Sequence, residues 1–575
     1  MWTPLAALLT ASLAAASPLG RNFTRPDYVI IGGGASGFVL AEQLSRDPRV
    51  SVTLLEAGPE NAGVDLIDVP GYAPNLLDTP HTWNYSSQPD PNIEDVTVPL
   101  HQGRGFGGGT AVNYMGACRG APSVFDEWAE TSGDEGLRWE NIDHDFRATA
   151  HYTEVELGYD PHITEAAYGD GPVELTAPRS NLGFVQQLRS AWTNVLGLSN
   201  ADFNDGTGLG IASGTTSVRA SNGTRSFASQ AFGWQLAGRP NAQQLYHAEV
   251  TRIGFQGRRA VSVTYIDPTN PSRHTTLHPR EVILAAGALN SPKLLMLSGV
   301  GPADHLEELG IPVVADIPEI GQNLQDHHIA FMSFEVNSIP ETLWQYTQNR
   351  TFAAIAEEEY AAHGTGVLAT PNGAAFAMYR VPDEVFEAVD DTFHPSLPED
   401  RAHLLFQYSS SQLSSGMPNV SIVSPFVSLV QPEDPGHLEL ASADYRDAPL
   451  IYSNYWGSAG DRAAIMHGYR MLQNITQDPE FAQFIVRPLH PAQPPTNDEE
   501  LWSAISHGAS SFHHPLGTVA LGSVVEGGSW RVRGLQGLRV VDSSTIPSPP
   551  TCHPMAIIYA YAHHAAGLIR AQDRF

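Results

Sequence analysis

Tyr28-Val29-Ile30-Ile31 leads into Gly32-Gly33-Gly34-Ala35-Ser36-Gly37, which opens Phe38-Val39-Leu40-Ala41-Glu42-Gln43-Leu44 and is followed by Val50-Ser51-Val52-Thr53-Leu54-Leu55-Glu56. Four consecutive apolar residues suit a strand covered on both faces of a parallel sheet, and residues 38–44 have helical spacing. In Gly32-x-Gly34-x-x-Gly37 the first glycine permits the tight turn. The second lets backbone approach a pyrophosphate, and the third lets helix and strand pack closely. The helix N-terminus, with Ala35 and Ser36, then offers unpaired N–H groups to phosphates. Glu56 ends the second strand 19 residues after Gly37. A carboxylate there accepts hydrogen bonds from ribose hydroxyls and opposes a phosphorylated ribose. Strand, turn, helix, strand and acid in that order predict a Rossmann-like βαβ unit that holds a dinucleotide. The glycine pattern by itself does not separate FAD from NAD.

Working outward, residues 281–297 read as a strand running into a helix, and residues 531–575 return to strand-turn-helix character, ending in a helix over Met555–Gln572. Residues 59–98 are rich in Pro, Asn and Asp and read as a loop or lid. From 331 to 504 the character changes, with joints at Pro371, Pro395 and Pro398 and a β-like run over residues 420–424. The expected architecture is α/β with α+β features. A discontinuous dinucleotide domain spans 25–330 plus 505–575, and a sheet-and-helix substrate domain spans 331–504.

The 575 residues carry 62 acidic and 31 basic side chains, a formal net charge of -31. Such a surface repels phosphate backbones and anionic lipid, so nucleic acid and membrane are excluded as partners, and a small neutral substrate fits. No metal-ligand spacing stands out. Residues 1–16 read as a signal peptide, with a short apolar run and small residues at Ala14 and Ala16, although no Lys or Arg precedes the run. Asn22, Asn84, Asn222, Asn349, Asn419 and Asn474 each begin an Asn-x-Ser/Thr sequon. Leader and sequons together predict a secreted glycoprotein. Cys118 and Cys552 read as two buried free thiols, in a chain too large to need a disulfide; pairing stays open.

Further motifs carry a resemblance. Gly103-Arg104-Gly105-Phe106-Gly107-Gly108-Gly109-Thr110-Ala111-Val112-Asn113 is similar to the first signature of the glucose-methanol-choline (GMC) oxidoreductase family, and residues 287–301, from Gly287-Ala288-Leu289-Asn290-Ser291-Pro292, to the second. Gly321-Gln322-Asn323-Leu324-Gln325-Asp326-His327, His514-Pro515-x-Gly517-Thr518 and residues 538–544 complete the set in family order. The resemblance implies FAD, held at Gly32, Gly34, Ala35, Ser36, Gly37, Glu56, Ala57, Arg104, Gly107, Gly108, Thr110, Asn113, Val250, Asp542, Pro554 and Met555. Val250 would meet the adenine through its backbone, and Asp542 would lie near the ribityl or phosphate region. Some relatives bind FAD covalently through a histidine just before the position of Asn113. Here that residue is Val112, so the cofactor is expected to be non-covalent.

The resemblance also implies two catalytic histidines. Removing hydride from an alcohol requires that the hydroxyl proton leave too, and an imidazole is suited to take it. His514 maps to this base. His553 maps to the residue that holds the substrate oxygen, and its histidine identity resembles glucose oxidases and aryl-alcohol oxidases more than choline oxidases. Phe512, His513 and Tyr114 are expected to line the substrate space. His513 stands where aryl-alcohol oxidases carry an aromatic residue. The implied activity is hydride transfer from a primary alcohol, aryl or furanic, to FAD, with O2 as acceptor and H2O2 as product. A glucose-type sugar oxidase or dehydrogenase, a biosynthetic alcohol oxidase, a hydroxynitrile lyase retaining FAD and a silent scaffold remain alternatives.

Overall fold

The computed structural model describes residues 23–411, 413 and 418–573; the leader and the Asn22 sequon lie outside them. Five parallel strands form the first sheet, in the order Ala242–Leu245, Val52–Leu55, Tyr28–Ile31, Glu281–Leu284 and Leu538–Val540. Tyr28–Ile31 lies in the middle, with Val29 opposite both Thr53 and Val282. All four of its side chains are buried, which explains why the run is continuously apolar rather than alternating. The helix Ala35–Leu44 covers one face and is buried along its whole length. The C-terminal helix Met555–Gln572 packs against it, and Gly287–Leu297 follows the fourth strand as the sequence predicts.

The second sheet has eight strands. Ile485–His490, Ser333–Val336, Ile422–Leu429, Leu404–Ser409, Phe376–Tyr379 and Gly210–Ala212 lie side by side, antiparallel throughout. His328–Phe331 pairs with both Ile422–Leu429 and Ala509–Ser511. The sheet therefore draws one strand from residues 210–212 and another from residues 509–511. The β-like run read over 420–424 belongs to a longer strand that starts at Ile422 and is buried at all eight positions. Helix Ala459–Gln477 packs on this strand.

Two readings need correction. Residues 59–98 are not plain loop. They hold a short helix, Asp65–Asp68, a 3-10 turn, Pro70–Leu76, and a strand, Thr82–Ser86, paired with Pro99–Gly103. Thr, Trp and Tyr in that strand are strong β-formers among turn residues that hide them. The second correction concerns the cysteines. Cys118 and Cys552 are a disulfide, their Cα atoms 6.1 Å apart although 434 residues separate them.

Candidate active site

A cavity of about 970 Å³ opens beyond the C-terminal ends of the three central strands of the parallel sheet, where Ile31, Leu55 and Ala285 form its floor. Its size sits at the upper end for a small-molecule site. This is where open α/β sheets bind ligands. Gly34 and Gly109 line it, and a Cβ built on either would meet no atom closer than 3.9 Å, so side chains there would project into the cavity itself. Glu56 is buried, and its oxygens accept from the N–H groups of Gly33 at 2.8 Å, Gly58 at 2.8 Å and Gly105 at 2.9 Å. One carboxylate thus fastens the glycine turn to the loop carrying Gly105–Gly109 and still faces the cavity. Asp542 does the same at the other rim. Its Oδ2 accepts from Gly287 N–H at 2.9 Å and Ser291 Oγ–H at 2.6 Å, while its Oδ1 accepts from Ser544 N–H at 2.8 Å. The glycine cradle, the helix N-terminus at Ala35 and the placed carboxylate are the donor set a dinucleotide needs, so FAD fits these residues.

Of the expected cofactor residues, Gly32, Gly34, Ala35, Ser36, Glu56, Ala57, Gly108, Thr110, Asn113, Val250, Asp542, Pro554 and Met555 line the cavity; Gly37, Gly107 and Arg104 do not. The last three shape it from behind. A Cβ at Gly37 would collide with the Gly32 carbonyl oxygen, which is the close helix-to-strand approach the motif requires. Gly107 N–H donates to Gly33 O at 2.7 Å, joining the two glycine loops. Arg104 stacks its guanidinium 4.9 Å from the Trp83 ring and donates to Ala57 O at 3.3 Å. Asn113 is held by Arg225, which is fully buried and donates to Asn113 O at 2.7 Å and Oδ1 at 2.9 Å. Burial lowers the Arg225 guanidinium to about 9, still protonated at neutral pH.

The two expected histidines meet. The His514 and His553 rings lie 5.3 Å apart, nearly perpendicular, and both line the cavity. Phe512 stacks on His514 at 5.1 Å and meets His553 edge-on at 5.1 Å. Tyr114, 36% exposed, and His513 also line the cavity. Burial holds both imidazoles below the ordinary range: His553 falls to about 4, and His514 is pushed well down by burial and then by the neighbouring His327, His553 and His513.

Hydrogen bonds from behind set the tautomer of each ring. His327 Nε2 lies 2.9 Å from the Pro550 carbonyl oxygen, which can only accept, so that nitrogen carries the proton. Burial holds His327 at about 3, so its ring is neutral and its Nδ1 is bare. His514 Nδ1 sits 3.0 Å from that bare nitrogen and must donate to it. The proton of His514 is thereby fixed on Nδ1, and Nε2 is left as a lone pair. Gln407 does the opposite to His553. Its amide nitrogen donates to the Gly373 carbonyl, which assigns the amide orientation, and lies 3.3 Å from His553 Nε2. His553 Nε2 accepts, so its proton resides on Nδ1. Among the described residues neither His514 Nε2 nor His553 Nδ1 has a protein partner. Asp326 anchors the arrangement, its Oδ1 accepting from the backbone N–H of His514 at 2.9 Å and of His327 at 2.8 Å. Burial raises the Asp326 carboxyl to about 7 against the pull of these donors and Ser511.

His327, Asp326 and Gln407 were not assigned roles from sequence. The first two end a stretch whose similarity had been noted, so the signal was present. Gln407 is one polar residue in an otherwise ordinary strand, Leu404–Ser409, and nothing in the sequence marks it.

Family models described as GMC oxidoreductase match residues 26–329 and 432–562. The chain is 30% identical to the glucose-methanol-choline family oxidoreductase mfmG of Annulohypoxylon moriforme, covering 95% of this chain and 94% of that protein. It is 29% identical to patulin synthase of Aspergillus clavatus, over 96% and 94%. Among solved structures, the FAD-dependent oxidoreductase from Chaetomium thermophilum is similar with a TM-score of 0.84 and 27% identity, over 96% of this chain and 100% of that one.

Proposed function

The chain belongs to the GMC oxidoreductase family, FAD-dependent enzymes acting on CH–OH donors, and on that premise we propose that it oxidises a small neutral primary alcohol, aryl or furanic, to the aldehyde, with O2 as acceptor and H2O2 as product. The observation that carries the proposal is the pair of imidazoles in opposite tautomers on one wall of the cavity. His514 Nε2 is a proton acceptor and His553 Nδ1–H is a proton donor. An alcohol oxygen between them gives its proton to His514 and receives a hydrogen bond from His553 as the carbinol carbon loses hydride. FAD, when bound, supplies the hydride acceptor. The N-terminus of helix Met555–Gln572 opens on the same cavity through Pro554 and Met555, and its dipole favours negative charge there. Ile329, Phe331, Phe426 and Phe512 make an apolar, aromatic wall beside the histidines, which supports an aryl or furanic substrate over a sugar.

Anaerobic mixing with benzyl alcohol tests this reading. The visible flavin band should bleach, and air should restore it with release of peroxide. Bleaching by sugars alone, or by neither, would overturn it. The same proposal places the protein outside the cell, as a glycoprotein. The leader-like residues 1–16 support this, as do Asn84, Asn222, Asn349, Asn419 and Asn474, which are all exposed.

The rate of flavin reduction should be nearly independent of pH. Both imidazoles have depressed conjugate-acid values, His553 at about 4 and His514 well below the ordinary imidazole range, so both are neutral at neutral pH. A proton taken by Asp326 near 7 goes to Oδ2, where the Ser511 hydroxyl turns from donor to acceptor, and the Oδ1 bonds to both backbone N–H groups survive. Reduction in a stopped-flow instrument should therefore hold from about pH 8 down through the ordinary imidazole range near about pH 6.5 and decline only below it. A tenfold loss between about pH 7 and about pH 6 would show a base with an ordinary imidazole value instead.

A further inference from the structure

The outer part of the cavity carries a second pair of histidines that the chemistry above does not use. His101, on strand Pro99–Gly103, and His513 both line the cavity, and their rings meet edge-on at 5.5 Å. His101 Nε2 lies 3.1 Å from Asp78 Oδ1, so that nitrogen carries a proton, and in the neutral ring Nδ1 is the acceptor. His101 Nδ1 and His513 Nδ1 are both buried without a hydrogen-bond partner. A sealed, unpaired polar atom is a standing cost, and two in one ring contact are unusual in a native wall. His513 has, besides, a left-handed backbone at φ 60°, a conformation that costs a side-chain-bearing residue energy and is found where a site needs a side chain aimed. Turning its ring about Cβ–Cγ exchanges Nδ1 with Cδ2 in the same outline. A molecule in the cavity can then take the bond the protein does not supply.

We propose that His101 and His513 form a polar subsite for a second hydroxyl group of the substrate, carried a few bonds from the carbinol that His514 and His553 process. The inference rests on the alcohol-oxidase reading above and names the class of alcohol within it. The two rings offer one fixed acceptor, His101 Nδ1, and one ring that can donate or accept. A hydroxyl, which does both, matches that pair. A carboxylate does not, because it would face a bare nitrogen backed by the Asp78 charge. His101, His513, His514 and His553 all line one cavity of about 970 Å³, and His513 adjoins His514 in the chain, so one small molecule can reach both subsites.

The test compares three alcohols of one skeleton by anaerobic flavin reduction of the holoenzyme: 3-methylbenzyl alcohol, 3-(hydroxymethyl)benzyl alcohol and 3-(hydroxymethyl)benzoate. After correction for its two equivalent carbinols, the diol should exceed the methyl compound about tenfold or more in reduction rate over dissociation constant, and the carboxylate should fall below both. In His101→Phe and in His513→Phe the diol-to-methyl ratio should collapse toward one, while His101→Gln, which keeps an acceptor, should retain part of it. Should one aromatic variant fail to fold, the other carries the test, and Asp78→Asn adds a third: freeing the His101 tautomer should bring the carboxylate closer to the methyl compound. A wild-type ratio near one, or a ratio unchanged in the folded variants, overturns the subsite. If none of the three alcohols reduces the flavin, the alcohol-oxidase reading falls and the subsite with it; if the methyl compound works and the second hydroxyl adds nothing, the subsite alone falls.

Discussion

His514→Ala should slow reduction of the flavin by a saturating alcohol by a factor of ~10²–10⁴, the range expected when a general base is removed. The reason is positional as much as chemical. In a buried site the proton needs a bare nitrogen already placed to take it, and the chain from the Pro550 carbonyl through His327 leaves one on His514. Alanine removes it, and His553 cannot substitute, because Gln407 keeps its outward nitrogen protonated. The loss should appear in the limiting reduction rate far more than in the alcohol's dissociation constant, since Phe331, Phe426 and Phe512 all remain in the wall, Phe512 losing only the ring it stacks on. His327→Phe offers a sharper control. It leaves His514 in place but takes away the acceptor for Nδ1–H, so His514 can populate the tautomer with the wrong nitrogen protonated. A smaller loss, about tenfold, with a rate that now depends on pH, is expected. Stopped-flow reduction of the two variants measures both. Near-normal reduction in His514→Ala would remove this histidine from the chemistry.

The contrast between these residues shows what a sequence reveals. The dinucleotide half was legible because its physics is local. A strand buried on both faces must be continuously apolar, a close helix-to-strand approach needs glycine, and an acid at the end of the next strand can fasten the turn; Tyr28–Glu56 shows all three within one short segment. The C-terminal helix was equally plain, its boundaries at Met555 and Gln572 marked by Pro554 and by the end of the apolar face. The tautomer relay was not legible, because it is a property of three-dimensional contact. His327 and His514 are 187 residues apart, and Gln407 and His553 are 146 apart. Nothing in the residues around Gln407 says that its amide will turn toward an imidazole on another segment. The strand Thr82–Ser86 was hidden for the opposite reason. Its neighbours are Pro, Asp and Asn, and composition averaged over the window outweighed a strand of only five residues.

The cysteines were misread on the same ground, and the pairing has a large expected consequence. Replacing both, as Cys118→Ser with Cys552→Ser, should cost about 2–5 kcal/mol of stability, because the bond closes a very long loop and so restricts the unfolded chain. The position of the bond suggests a second effect. Cys552 immediately precedes His553, while Cys118 follows the strand Gly116–Ala117, which pairs with Thr215–Thr216. The disulfide thus ties the segment bearing His553 to the segment that follows Asn113 and Tyr114 in the cavity wall. The approach there is close: a Cβ placed on Gly116 would come within 3.2 Å of His553 Cδ2. Without the bond, the His553 segment is held by Thr551, whose hydroxyl accepts from Ala121 N–H at 3.0 Å, by the Gln407 amide at 3.3 Å from His553 Nε2, and by ring contacts with Phe376, Phe512 and His514. Those contacts should keep the fold but let His553 drift from the oxygen it must hold. The double variant is therefore expected to unfold at a lower temperature and to reduce its flavin more slowly, with the cofactor still bound. Because both sulfurs are buried, wild-type protein should resist a thiol reductant until it is heated or partly unfolded. Thermal unfolding followed by flavin fluorescence, with reduction kinetics on the same samples, decides the matter. An unchanged midpoint in the double variant would mean that the unfolded chain gains nothing from the cut, and an unchanged reduction rate would mean that His553 is placed by its ring contacts and the Gln407 and Thr551 hydrogen bonds without the disulfide.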